Sequence, residues 1–198
     1  TQQLLTFAKG GAPLKRLIFL QNTIREAASF ALHGSNVKCD FRLADDLCAA
    51  DADENQIVQV INNLVLNAAQ AMPDGGVVEV CAENVPVTPN GHTSANPRIQ
   101  ISVRDHGVGI PEEHLGRIFD PYFTTKSLGS GLGLATTYSI VANHGGHIAV
   151  SSAVGQGTTM TLTLPAVGNM GRFGGSEVPA GLPRGKGRVL IMDDEEAV

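Results

Sequence analysis

The sequence predicts a single α/β domain of moderate size with short appendages at both ends. Three observations predict it. Segments with period-two alternation and segments with helical period follow one another along the chain. The 198 residues are 42% hydrophobic and 17% charged, a composition that buries a core and argues against disorder. A closing hairpin, His147–Ser152 and Thr158–Pro165 around Val154-Gly-Gln-Gly157, ends the patterned region before a glycine-rich stretch.

The elements follow in order. Residues 2–9 (QQLLTFAK) read as the end of a helix, stopped by Gly10, Gly11 and Pro13. Leu17–Leu20 is a short strand. Residues 21–32 form an amphipathic helix with Ile24, Ala27, Ala28 and Ala31 on one face, and Val37–Leu43 alternates as a strand. The clearest helix spans residues 53–72. Asp53 is its N-cap, and Ile57, Val60, Ile61, Leu64, Ala68, Ala71 and Met72 form its apolar stripe. Gln59, Asn63, Asn67 and Gln70 fall on a different face of that helix. Val77–Val85 and Arg98–Asp105 are strands joined by an exposed loop rich in Pro, Asn and Gly. Glu112–Phe119 is a short helix, residues 120–132 are irregular, and Leu134–His144 is a helix closed by Gly145 and Gly146. Residues 166–187 hold seven Gly and two Pro without hydrophobic period and read as a linker. Residues 188–198 then begin as a buried strand ending in the carboxylates Asp193, Asp194 and Glu195.

The bulk properties exclude several classes. A net charge of −5 disfavours nucleic acid or an anionic membrane surface as a partner. No apolar run approaches the ~20 residues of a transmembrane helix, and no signal peptide opens the chain. The start in mid-pattern leaves open a membrane segment upstream. Cys39, Cys48 and Cys81 are scattered, without CxxC or metal-ligand spacing, which points to small buried or half-buried residues in a cytoplasmic protein. The six histidines show no metal spacing and read as ordinary surface or loop residues.

Three spaced motifs carry the chemistry. Asn67, with Asn63 one turn earlier on the same face, offers an amide oxygen, a hard neutral ligand suited to Mg²⁺. Asp105 ends a strand and is followed by Gly107, Gly109 and Ile110. Its carboxylate suits an exocyclic amine such as adenine N6, and the glycines let backbone approach a flat ring. Alone, DxGxG suits a β-turn equally well. Gly129, Ser130, Gly131, Leu132, Gly133 and Leu134 open a helix, where free N–H groups and the helix dipole favour phosphate. The spacing is neither the GxGxxG of a dinucleotide fold nor a Walker loop. Between the last two motifs, Phe119, Thr124, Thr125 and Lys126 suit a lid over a triphosphate, with Lys126 a point charge on its end.

Together these motifs resemble the ATP-binding domain of sensor histidine kinases, in the gyrase–HSP90–kinase–MutL (GHKL) superfamily. QVINNLVLNAAQAM looks like the N box, DHGVGI the first glycine box, IFDPYFTTK the F box and GSGLGLATTYSIVANHGGHI the second glycine box. The resemblance covers residues ~16–165. It implies a two-layer α/β sandwich (the Bergerat, or GHKL, fold), with a mixed, mainly antiparallel sheet packed against three helices. It implies Mg²⁺ on Asn67, adenine on Asp105, phosphate contacts from Lys126, Gly131 and Gly133, and Thr158 or Thr159 supporting the adenine pocket. Asn63 and Lys126 carry the catalytic roles, and the remaining named residues of the motifs complete the nucleotide site.

The flanks extend the resemblance. Residues 1–13 resemble the end of a dimerisation and phosphoacceptor hairpin, 14–165 the catalytic domain, and 188–198 the first strand of a receiver domain, as in hybrid kinases. This implies three partners beyond ATP and Mg²⁺: an acceptor-histidine domain, a receiver or response regulator, and a second subunit in a full-length homodimer. Hydrolytic superfamily members carry Glu where this chain has Asn63. An amide cannot act as a general base, which favours phosphoryl transfer to a histidine on another domain over ATPase action. No histidine here sits in the acceptor pattern, so the chain alone is expected to bind Mg-ATP without autophosphorylating. A GHKL-type ATPase and a catalytically silent nucleotide-sensing module are the alternatives.

Overall fold

The structure is a computed structural model and describes residues 13–85, 97–126 and 129–167. The helix expected over 2–9, most of the loop between the two central strands, the linker from residue 168 and the strand at 188 lie outside the described residues.

The elements run β1 (Arg16–Ile18), α1 (Leu20–Ala31), β2 (Val37–Leu43), β3 (Ala49–Ala52), α2 (Glu54–Gln70), β4 (Gly76–Val85), β5 (Arg98–Arg104), α3 (Glu112–Leu115), α4 (Gly133–Asn143), β6 (His147–Ala153) and β7 (Gly157–Val167). Among the described residues, seven strands form one sheet in the order β1-β3-β7-β5-β4-β2, with β6 also paired to β7. Only β2 and β4 pair in parallel, Val37 opposite Gly76 and Leu43 opposite Ala82. The other pairings are antiparallel.

Period-two alternation sets the layers. Val78, Val80 and Ala82 on β4, Ile99, Ile101 and Val103 on β5, and Met160, Leu162 and Leu164 on β7 are buried. They share one core with Ile24 and Ala28 of α1, Ile57, Ile61, Leu64 and Val65 of α2, and Ile140 and Val141 of α4. The intervening strand residues, such as Ser102, Thr161 and Thr163, are only half-buried on the opposite face. The result is the two-layer sandwich with a mixed, mainly antiparallel sheet that the resemblance implied, with α1, α2 and α4 as its helical layer. No helix among the described residues is long and apolar enough to cross a membrane.

Three differences from the sequence reading have physical causes. β3, with sequence AADA, was not expected as a strand, because alanine has little β preference. Pairing on both edges, Ala52 with Arg16 and Ala49 with Val167, imposes it. The helix expected over 112–119 ends at Leu115, with Gly116 as its C-cap. His144, read as an ordinary surface or loop histidine, is 3% exposed. Its Nε2 accepts the Asp53 N–H at 3.0 Å, so its Nδ1 donates to the Ile140 carbonyl at 2.8 Å. That ring joins the C-terminal end of α4 to the N-cap of α2. Asp53 caps α2 as expected, its Oδ1 accepting from Asn55 N and Gln56 N and its Oδ2 from Leu14 N.

Candidate functional site

A cleft of about 600 Å³ opens between α2, the start of α4, the loop after β5, and the stretches Phe123–Lys126 and Gly129–Gly131. That volume suits a nucleotide-sized ligand. Asn63, Asn67, Asp105, Gly109, Ile110, Thr124, Thr125, Lys126, Gly129, Ser130, Gly131, Gly133, Leu134 and Thr158 all line it. Residues as far apart in sequence as Asn63 and Thr158 therefore meet in one place.

Helical spacing puts Asn63, Asn67 and Gln70 on one wall. Asn67 Oδ1 accepts a hydrogen bond from Lys126 Nζ at 3.1 Å, and the same ammonium donates to Gln70 Oε1. Asn63 Nδ2 donates to the Gly133 carbonyl at 3.0 Å and to Thr137 Oγ1 at 3.3 Å. Its amide thus fixes the first turn of α4 against α2. Among the described residues, no three His, Cys, Asp or Glu side chains gather as a metal cluster. The donor offered to a cation here is Asn67 Oδ1, an oxygen that already holds the positive charge of Lys126. A single amide oxygen suits Mg²⁺, which keeps several waters and completes its shell with phosphate.

The opposite end is built around Asp105, which is 5% exposed. Its Oδ1 accepts the N–H groups of Gly107 at 2.9 Å and Thr158 at 3.2 Å. Burial pushes the Asp105 carboxyl up, against those two hydrogen bonds and the positive charge of His106 and Lys126. Burial likewise pulls the Lys126 ammonium down, with Asp105 acting the other way. Thr158, not Thr159, is the threonine at the cleft wall.

The glycines of the first box also make room for neighbouring backbone. A Cβ on Gly107 would lie 2.3 Å from the Ala71 carbonyl oxygen, and one on Gly109 would lie 2.1 Å from that of Ala153. The loop is pressed onto the end of α2, where Val108 N donates to Ala71 O, and onto the β6–β7 turn, where Gly155 N donates to Val108 O. Both positions need clearance for protein backbone, and Gly109 also lines the cleft.

Gly107, Phe119 and Leu132 were expected to touch the nucleotide and do not line the cleft. Gly107 faces Ala71. Phe119 packs beside Tyr138 with ring centroids 5.7 Å apart, and Leu132, at 5% exposure, is the N-cap residue of α4. Tyr122 holds a left-handed backbone, φ 67°, opposite Gly131, whose carbonyl accepts its N–H at 2.9 Å. Phe123 is pinned by Arg117 above its ring at 4.7 Å and by the edge of His114. Sequence reasoning missed Ser152 at the Asp105 end, and it missed His114, Val103 and Met160 on the wall. The alternation of β5 and β7 was the available signal for the last two. Burial pushes the Cys39 thiol up to about 11 and raises that of Cys48.

Residues 52–168 match the family model described as histidine kinase-, DNA gyrase B-, and HSP90-like ATPase. The chain is 43% identical over 129 residues to the sensor histidine kinase ZraS of Escherichia coli, covering 65% of this chain and 26% of that protein. It is 32% identical to the sensor kinase CckA of Brucella abortus over an alignment of 214 residues, covering 100% of this chain and 23% of the relative. The chain thus spans about a quarter of these curated relatives. The crystal structure of full-length ShkA in complex with AMPPNP superposes with a TM-score of 0.69 at 25% identity, covering 86% of this chain and 36% of that one.

Proposed function

Because the chain belongs to the family of histidine kinase-, DNA gyrase B- and HSP90-like ATPases, we propose that it is the ATP-binding catalytic domain of a two-component sensor kinase, transferring the γ-phosphoryl group of ATP to a histidine on a separate domain. One observation carries the reading. A single cleft joins an amide oxygen facing a cation at Asn67, a buried carboxylate at Asp105, the lysine Lys126 and the N-terminus of α4. Asp105 binds the adenine amine, Gly131 and Gly133 with the first turn of α4 bind phosphate, and Lys126 leaves Asn67 to neutralise the terminal phosphate. Asn67 holds Mg²⁺, which supplies charge neutralisation on the phosphates when bound. Asn63 holds α4 in place and, being an amide, takes no proton from water. That supports transfer over hydrolysis.

The finer assignments belong to the same proposal. Residues 1–13 end the acceptor hairpin of a cytoplasmic, dimeric kinase, 14–165 are the catalytic domain, 166–187 are a linker, and 188–198 begin a receiver domain. The alignment with a sensor kinase over the whole chain is consistent with this division. The chain by itself is not expected to become labelled.

The test is calorimetry with AMPPNP, with and without Mg²⁺, on wild type and Asn67→Ala. Loss of the Mg²⁺-dependent part of the affinity in the variant is expected, and an unchanged Mg²⁺ dependence removes Asn67 from the metal site. Adding γ-labelled ATP and a separate acceptor hairpin should move label to the hairpin. Stoichiometric label on the 198-residue chain itself, or phosphate released only to water, overturns the transfer assignment.

A further inference from the structure

Ser152, on β6, makes three hydrogen bonds that only one arrangement of protons satisfies. The Ile110 N–H donates to its Oγ at 2.8 Å. The Gly157 carbonyl, 3.0 Å away, can only accept, so the single Ser152 proton goes there. Thr158 Oγ1 lies 2.9 Å from Ser152 Oγ, and either atom could in principle donate. With the serine proton already committed, Thr158 must be the donor. Its Oγ1 therefore keeps only lone pairs for the cleft that Thr158 lines. Asp105, beside it, presents an acceptor as well, its Oδ1 taking N–H groups from Gly107 and Thr158.

We propose that Ser152 is a specificity-determining positioning residue: by taking the Thr158 proton, it keeps acceptors against the purine 6-substituent, which fits a 6-amino group and rejects a 6-oxo group. The proposal rests on the nucleotide reading above. An exocyclic amine brings donors to Asp105 and Thr158. A 6-oxo group brings a further acceptor, which would be buried against oxygens with no proton between them. Removing the serine hydroxyl frees the Thr158 proton to turn toward the cleft and meet that oxygen. Ser152 touches no ligand in this scheme and acts through Thr158.

The test compares the affinities of the 198-residue chain for ATP and for ITP, which differ at the purine 6-position and its ring tautomer. Wild type is expected to prefer ATP. In Ser152→Ala the ATP-to-ITP affinity ratio should fall about tenfold, the effect of one hydrogen bond gained by the wrong base. Ser152→Thr, which retains the hydroxyl, should keep the wild-type ratio. In a Thr158→Val background, Ser152→Ala should leave the ratio where Thr158→Val puts it. Ser152→Cys keeps the shape with a weak donor and should lower the ratio in the same direction, a second variant should the alanine change prevent folding. A merely structural role would weaken both ligands together and leave the ratio constant, which overturns the proposal. Equal binding of ATP and ITP by wild type also overturns it. Failure of wild type to bind either triphosphate overturns the nucleotide reading as well.

Discussion

The Lys126 ammonium lies 3.1 Å from Oδ1 of Asn67, so the segment expected to cover a triphosphate is fastened to the oxygen expected to hold its metal. One cation stands where another is to bind, and nucleotide entry must exchange them. Lys126→Met removes a charge-assisted contact to phosphate. AMPPNP affinity should fall about tenfold to a hundredfold by calorimetry.

Asp105→Asn should separate stability from binding. Burial raises the folded carboxyl above its ordinary value near 3.8, so its contribution to stability is fully present below that value and is lost as pH rises through the folded pKa. The asparagine carries no charge and can still accept from Gly107 and Thr158. Its melting temperature should exceed that of wild type at pH 7, with the gap closing toward pH 4. ATP affinity should fall all the same. A gap that is constant with pH would remove the Asp105 charge as its cause.

Gly107→Ala should be costly although the position is not at the cleft wall. Its Cβ would sit 2.3 Å from the Ala71 carbonyl oxygen, which is backbone and cannot swing aside. Overpacking of this kind costs about 1–3 kcal/mol, visible as a lowered urea midpoint. Nucleotide binding should weaken in parallel, because Gly107 N is one of the two donors that hold Asp105.

His144→Ala tests the joint between α2 and α4. The change empties a buried site and leaves the Asp53 N–H and the Ile140 carbonyl without this partner. A loss of about 2–4 kcal/mol in unfolding free energy is expected. His144→Gln, which offers one acceptor oxygen, should recover part of it in the same denaturation experiment.

The legible parts of this chain were those with strong periodicity. The stripe of α2, its Asp53 cap and the alternation of β4, β5 and β7 were readable because each is a local pattern repeated several times. The convergence of Asn67, Asp105 and Lys126 came from the order of motifs, which no local pattern supplies. What stayed hidden depends on partners distant in sequence. β3 is a strand only because β1 and β7 flank it, and His144 is buried only because α2 lies against α4. The need of the glycines after Asp105 to clear the carbonyls of Ala71 and Ala153 cannot be seen in sequence, because those partners are distant along the chain. Ser152 resembles any strand serine until its three neighbours are known.

β7 pairs with β5, β6 and β3, and it carries Thr158, one of the donors that hold Asp105. It is also the last of the described strands to leave the ribosome. A nascent chain that has emerged only as far as the β6–β7 turn has its central strands and both asparagines, yet lacks the member that joins the two halves of the sheet. The cleft therefore cannot be assembled progressively from its N-terminal side. Its Asp105 end is completed in one late step, so a truncated or stalled product would lack the finished pocket rather than hold a partly built one.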